Sequence, residues 1–399
     1  MRKSLLVLAA STYQVPVIET AKALGYRVIT TDNVPSNPGH VLADVHYAVD
    51  TTDYAEVLAL ARKENISGII SPGTDVAVFT AAYVAGKCGL PGPSPESART
   101  MTNKLHFREF MAAKGFAVPE FFAVVDNELP MEKTRFDGCE WIIKPSCSSG
   151  SKGIFIVCSP EDFSSCVAQS RNFSVDGTAI LEAFIKGTQH TLEGILQDGK
   201  IGVSLLTDRD TVAAPYTTTT GHRFPSRLPE SVQIVVRHVI EAVLRKFGID
   251  SGVFDCDFVV DDECVTLIEI TPRLGGNSLS RLFKTALNFD LAAFAVAYAC
   301  SDHLPVLDIP ACTPQNSAAI VILGVERAGR LSWNEQEVSR LRQEAWVRDL
   351  RIDVPYGEKV MPFINGRNRI GEALVTGSNR DDLDARLTEL HARLALAVG

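Results

Sequence analysis

The sequence lacks the glycine fingerprint of a dinucleotide site. Its first apolar run, residues 4–9, is followed by Ala10-Ser11-Thr12-Tyr13-Gln14, with none of the glycines of G-x-G-x-x-G, which disfavours a dehydrogenase. Gly86-Lys87 lacks both the following Ser or Thr and the earlier glycine of a phosphate-binding loop, and reads as a helix end closed by Gly89. The nine cysteines (88, 139, 147, 158, 166, 256, 264, 300, 312) are odd in number and never spaced C-x-x-C, so neither a disulfide framework nor a zinc site is indicated. They read as small core residues in a reducing cytoplasm. No apolar run approaches the roughly 18 residues needed to cross a bilayer, and Met1-Arg2-Lys3 with residues 5–10 is interrupted too soon for a signal peptide. Positive charge is also short: 39 Lys and Arg against 48 Asp and Glu leave −9, which argues against nucleic-acid and anionic-membrane partners. There is no internal repeat and no low-complexity tract.

With 399 residues, 46% of them hydrophobic and 22% charged, the chain suggests a globular protein of two or three domains. Residues 1–93 alternate short apolar runs (4–9, 27–31, 46–49, 68–71) with helical spacing (15–24, 54–64, 75–87), which predicts a doubly wound α/β domain with a parallel sheet. Pro91-Gly92-Pro93-Ser94-Pro95 is a rigid boundary. Residues 94–310 no longer alternate: strands at 121–125, 141–144, 154–158 and 179–185, a hairpin through Asp198-Gly199-Lys200, and helices at 102–114, 160–169 and 232–247 predict antiparallel α+β. The polar stretch 207–229, with four consecutive threonines, reads as a functional loop or lid. Helices at 279–287 and 291–300 and the proline-punctuated segment 304–314 lead to residues 311–399, a smaller α+β lobe.

Chemistry concentrates in residues 253–277, VFDCDFVVDDECVTLIEITPRLGGN. With period two, Asp255 and Asp257 share one face of a strand and Phe254, Cys256 and Phe258 the other; after the break at 261–263, Glu269 and Thr271 share a face. A hairpin there brings Asp257 and Glu269 together, and two facing carboxylates suit a hard divalent cation, Mg²⁺ before Ca²⁺. Taken alone, D-x-D…E is more often a solvated edge hairpin. Arg273 and Gly275-Gly276 follow, a guanidinium and a pliable backbone fit for a polyanion such as a nucleoside triphosphate. Lys144 ends the apolar run before Pro145, where an inward lysine needs an anionic partner. Ser146 to Lys152, closed by Gly153, is a small polar loop able to wrap N–H groups around phosphate oxygens.

In that order the parts form one series: a helix lysine (Lys104), Lys144, the loop Ser149-Gly150-Ser151-Lys152-Gly153, a strand acid before apolar residues (Glu182-Ala183-Phe184-Ile185), then D-x-D…E-x-T-P-R. The series resembles the ATP-grasp superfamily of carboxylate–amine ligases, from about residue 4 onward and most strongly over 102–277. The resemblance implies a pre-ATP-grasp domain at 1–93, an ATP-grasp domain at 94–310 with a lid at about 115–185, and the lobe at 311–399. It implies that Lys104 and Lys144 contact the ATP phosphates, that 149–153 closes over them, that Glu182 accepts from the adenine amino group, and that the backbone of Phe184 and Ile185 reads the ring edge. Asp257 and Glu269 would hold Mg²⁺, with Mn²⁺ able to substitute, and Arg273, Lys144 and Lys152 would serve phosphoryl transfer. Thr271 stands where the family has an amide, which leaves a second metal position there open. His222, Arg223, Gly276 and Asn277 are the candidates to face substrate. The reaction implied is ADP-forming ligation of a small carboxylic or amino acid to an amine through an acyl phosphate. Its alternatives are a carboxylase-like or purine-biosynthesis enzyme using bicarbonate or glycine, and a degenerate nucleotide-binding module. Small-molecule partners, a cytoplasmic location and a homodimer go with that reading.

Overall fold

The computed structural model describes residues 2–124, 140–157, 159–301 and 316–399. The proline-punctuated segment 304–314, the boundary at 310/311, and Cys139, Cys158, His303 and Cys312 lie outside the described residues.

The N-terminal strands β1 (Ser4–Leu8), β2 (Arg27–Thr31), β3 (Val45–Tyr47) and β4 (Gly68–Ile70) form a parallel sheet in the order β3-β2-β1-β4. All five residues of β1 are buried, as expected of a strand covered on both faces. The helices Val15–Ala23 and Tyr54–Lys63 connect β1 to β2 and β3 to β4, and Val78–Cys88 follows β4; the second is capped by Asp53, whose carboxylate accepts from the Glu56 N–H, and the third ends on Gly89 in the left-handed region at φ +67°. The helices Pro95–Thr102 and Lys104–Ala113 follow, their N–H groups capped by Ser94 and Asn103.

Strands β5 (Phe121–Val124), β6 (Trp141–Pro145), β7 (Phe155–Val157) and β8 (Ala179–Ala183) make an antiparallel sheet ordered β5-β8-β6-β7, with the helix Pro160–Asn172 packed against it through Phe163 and Val167. The largest sheet has eight strands. It comprises β9 (Thr188–Gln197), β10 (Lys200–Thr211), β11 (Thr219–Phe224), β12 (Gly252–Asp261), β13 (Cys264–Thr271), β14 (Ser317–Leu323), β16 (Val347–Ile352) and β18 (Gly371–Gly377), ordered β13-β12-β9-β10-β11-β14-β18-β16. A small sheet of β15 (Gly329–Ser332), β17 (Lys359–Val360) and β19 (Ala397–Val398) completes the C-terminal region. The C-terminal strands thus extend the central sheet through the antiparallel β11–β14 pairing.

One expectation is corrected. The stretch 207–229 is not one free loop: β10 runs on to Thr211 and β11 spans Thr219–Phe224, leaving shorter connections at 212–218 and 225–229. Threonine is polar but β-branched, and its stiff χ1 suits a pleated surface.

The alternation in β12 sorts its side chains as the sequence implies. Phe254, Cys256 and Phe258 pack into the core with Val236, Ile240 and Leu244 of the helix Glu230–Lys246. Burying each phenylalanine contributes about 1.5–3 kcal/mol and pins the register. The acids are thereby forced onto the opposite face. Among the described residues no single helix is long and apolar enough to cross a membrane. The bent pair Leu279–Leu287 and Leu291–Ala299 contributes Leu282, Phe283, Leu291 and Val296 to the protein core.

Candidate active site

The β12–β13 register pairs Asp257 with Glu269 and Asp255 with Thr271. Asp257 and Glu269 both line a cleft whose other wall includes Ile142, Lys144 and Glu182 of the second sheet. Each already faces a cation: Lys104 Nζ lies 3.1 Å from Glu269, and Arg209 lies 3.4 Å from Asp257, whose other oxygen accepts from Thr191 Oγ1 at 2.5 Å. Burial raises the Glu269 carboxyl, but Lys104 and Arg273 outweigh it and hold the pKa at about 2, so the group is ionised throughout the working range. Lys104 is desolvated, yet Glu269 and Asp75 raise its pKa and keep it charged. Two carboxylates on one face fit Mg²⁺, which takes one or two protein oxygens and fills its remaining positions with phosphate and water. Thr271 is buried and lines neither this cleft nor the cavity beside it.

Lys144, next to last in β6, lies inside the protein and donates to Glu182 on β8 at 2.6 Å. Glu182 also accepts from Arg108 Nε at 2.8 Å, and Arg108 Nη1 donates to the Leu267 carbonyl at 2.8 Å, so one arginine ties the helix Lys104–Ala113 to both sheets. Burial pushes the Glu182 pKa up, but Arg108 and Lys144 overcome it and hold it at about 2. Burial pulls the Lys144 pKa down against the attraction of Glu182. Both Glu182 oxygens are therefore engaged with cations, a different setting from the adenine-amino acceptor expected of it. The Phe184 N–H is likewise taken, donating to the Glu140 carbonyl at 2.8 Å; among the described residues the Phe184 carbonyl and the Ile185 backbone have no such partner and remain for a ring edge.

The 149–153 loop has the geometry of an anion cradle. Gly150, Ser151 and Gly153 all have positive φ (+70°, +55° and +72°), and a Cβ on Gly153 would lie 2.9 Å from Phe173 and 3.0 Å from Pro145. Among the described residues Ser148 Oγ is buried without a partner, and Ser148 lines the cleft, so a phosphate oxygen could satisfy it. Cys147 is partly buried and its thiol pKa is raised, first by burial, which keeps it protonated and unreactive.

Arg273 is not a free guanidinium. It bridges Asp75, which follows β4 (Nε 3.0 Å, Nη2 2.5 Å), and Asp255 (Nη1 2.7 Å), while Gly73 N–H donates to the Leu274 carbonyl at 3.0 Å. Its pKa is raised by those acids despite burial. Glu193, fully buried, accepts from Gly275 N–H at 2.6 Å and fixes the same turn. Gly276 and Asn277 line a second cavity of about 530 Å³, which shares Asp75, Ser149–Lys152, Arg209, Asp257 and Glu269 with the cleft. His222 lines it as well, but Arg223, one residue on in β11, points to the other face and pairs with Asp210 and, at 3.0 Å, Asp384. The structure therefore removes Arg223 from the substrate-facing set. Arg108, Asp75, Arg209 and Glu193 were not anticipated. Arg108 left one sequence signal, a charge flanked by Phe107 and Met111 on the buried side of its helix.

His222 makes a testable contribution to stability. Its imidazole pKa is pushed down to about 3, first by burial and then by Arg209, while an unfolded histidine titrates near 6.5. As pH falls the unfolded chain takes up the proton first. The stability carried by the neutral ring is whole above pH 6.5 and is lost progressively toward pH 3, with a slope of up to about 1.4 kcal/mol per pH unit. His222→Gln is expected to flatten the urea midpoint against pH between 6.5 and 4.5; an unchanged profile would mean the folded ring takes up the proton freely.

A family model for the ATP-grasp domain matches residues 101–277, the span holding the helix lysine, the loop and both acids. The formate-dependent phosphoribosylglycinamide formyltransferase of Vibrio vulnificus is 23% identical over 371 residues, covering 90% of this chain and 88% of that one. Among solved structures, the L-amino acid ligase from Bacillus licheniformis superposes with a TM-score of 0.83 at 17% identity, covering 100% of this chain and 98% of that one. The phosphoribosylglycinamide synthetase from Anaerococcus prevotii gives 0.78 at 19% identity, covering 100% of both chains. At these identities the two superpositions establish the fold.

Proposed function

Because residues 101–277 match the ATP-grasp domain family, we propose that the chain is an ATP-dependent, ADP-forming ligase that joins a small carboxylic or amino acid to an amine through an acyl phosphate. One observation carries the reading: Asp257 and Glu269, paired in register, share a cleft with Lys104, Lys144, Lys152 and the loop at 149–153. Carboxylates opposite ammonium groups and a backbone cradle are the parts that phosphoryl transfer to a weak nucleophile needs.

A carboxylate cannot lose oxide to an amine. In the proposed sequence a carboxylate oxygen of the acid attacks the terminal phosphorus of ATP, the bond to the bridging oxygen breaks, and ADP leaves. The amine nitrogen then attacks the acyl carbon, the bond to the phosphate oxygen breaks, and phosphate departs as the amine gives up a proton. Magnesium, or manganese in its place, would supply charge neutralisation at the phosphates when held by Asp257 and Glu269. Lys144, held by Glu182, and Lys104, held by Glu269, meet phosphate oxygens, and the loop N–H groups close over them. Ile185 and the Phe184 carbonyl face the adenine edge. Arg273 keeps the N-terminal domain and the acidic hairpin in register through Asp75 and Asp255, leaving reactant alignment to the cavity walls. Such alignment is worth up to about 7–11 kcal/mol of the barrier. Small-molecule acid and amine are the partners in this reading, which also takes the protein as a cytoplasmic homodimer.

A second reading keeps the site and changes the acid. The relative in Vibrio vulnificus carries formate in its name and spans nearly the whole chain, so formate, bicarbonate or glycine could stand where the first reading has an amino acid. Incubation with ATP, Mg²⁺ and a panel of acids and amines decides. ADP release that requires an amino-acid pair is the expected result. Release that requires formate, bicarbonate or a phosphoribosylamine moves the assignment to the second reading, and ADP binding without any turnover marks a binding module.

A further inference from the structure

Among the described residues six cationic side chains line the cleft and the adjoining cavity: Lys104, Lys144, Lys152, Arg209, Arg273 and Arg367. Four are matched by acids, Lys104 by Glu269, Lys144 by Glu182, Arg209 by Asp257, and Arg273 by Asp75 and Asp255. Lys152 and Arg367 have neither an ion pair nor a side-chain hydrogen bond among the described residues. They come from distant parts of the chain, the loop over the cleft and the C-terminal lobe, yet their backbones meet: Gly366 N–H donates to the Gly150 carbonyl at 3.1 Å. Arg369, two residues on, provides the contrast. It is bound to Asp353 at 3.1 Å and Glu372 at 3.2 Å and lies over the Tyr13 ring, so its charge is already answered.

Two like charges brought together at a cavity without an anion repel each other, and Asp75, the acid whose field reaches Lys152, is committed to Arg273. Consistent with that, the Lys152 pKa is lowered, first by burial and next by Arg367. We propose that Lys152 and Arg367 form a two-armed clamp for an oxyanion, phosphoryl or carboxylate, that enters between the loop and the C-terminal lobe. The inference rests on the ligase reading and adds a residue to it: with Arg273 immobilised between two acids, Arg367 is the guanidinium left to grip. Binding an anion there would also draw the C-terminal lobe onto the loop at the Gly150–Gly366 contact.

Calorimetric titration of the full-length protein with inorganic phosphate, in the presence of Mg·ADP, tests this. Phosphate is expected to bind the wild type. Arg367→Gln is expected to weaken it by about tenfold or more, Arg367→Lys to recover part of the loss, and ADP affinity to stay the same in all three. Arg367 is exposed, so neither variant threatens the fold. Repeating the titration with a non-hydrolysable ATP analogue separates the two sources. Exclusion of phosphate places the clamp on the phosphoryl group in transfer, and continued binding places it on an anionic group of the acid substrate. Wild-type protein that binds no phosphate, or Arg367→Gln that binds it equally well, overturns the clamp. Failure of Mg·ADP to bind the wild type would instead sink the ligase reading, and phosphate titration of the nucleotide-free protein then decides the clamp by itself.

Discussion

Replacing Glu269 by alanine is expected to lower substrate-dependent ATP turnover by roughly 10²- to 10³-fold, about 3–4 kcal/mol of transition-state stabilisation. The carboxylate is ionised at any working pH, its pKa held at about 2 against burial by Lys104 and Arg273. The substitution leaves Asp257 as the one acid of the pair, and Asp257 is already shared with Arg209 and Thr191. Charge is lost where it is needed in transfer, so kcat should fall much further than ADP affinity. The lost salt bridge to Lys104 is a smaller matter for the fold, since Glu269 is 28% exposed. Glu269→Gln, which keeps the shape, should behave like the alanine variant in turnover and respond to higher Mg²⁺. Intact turnover in Glu269→Ala would withdraw the metal assignment.

That pair was visible in the sequence because its signal is local. Asp257 and Glu269 sit in runs whose apolar residues alternate with period two, and the break at 261–263 sets the turn, so pairing follows from twelve residues of spacing. The parallel sheet was legible for a similar reason, its continuous apolar runs being as short as buried strands. What escaped is non-local. Arg108 and Glu182 are 74 residues apart and Arg273 and Asp75 are 198 apart, and no periodicity links them. Without Asp75 in view, Arg273 reads as a free gripping arginine, and without Arg108, Glu182 reads as open to adenine. The Phe184 N–H was lost the same way, to a carbonyl at Glu140. The stretch 207–229 is of another kind: its polarity predicts a loop, whereas the β-branched shape of threonine favours the strands that occupy part of it.

Glu182→Ala should destabilise the protein by about 3–5 kcal/mol, because it leaves two cations without their acid in a dry site. Arg108 is 1% exposed and Lys144 4% exposed, and one carboxylate answers both. Arg108 cannot give up its proton, but Lys144 can, since burial already lowers its pKa with Glu182 opposing. The variant that still folds should therefore carry a neutral Lys144 and bind ATP weakly, a loss that rises with pH as the ammonium empties. Glu182→Gln keeps a hydrogen-bonding group but no charge and should fall in between. A triple replacement, Arg108→Met with Lys144→Met and Glu182→Leu, separates the two roles: packing in place of charge should restore much of the urea midpoint while turnover stays lost. Recovery of turnover in that variant would show Lys144 to be a structural cation only. The wild-type triad has its own pH signature. With the Glu182 pKa at about 2 in the fold and near 4.3 unfolded, its contribution is complete above the higher value and is lost as pH falls from there toward 2, a window that opens at lower pH than that of His222 and overlaps its acid end.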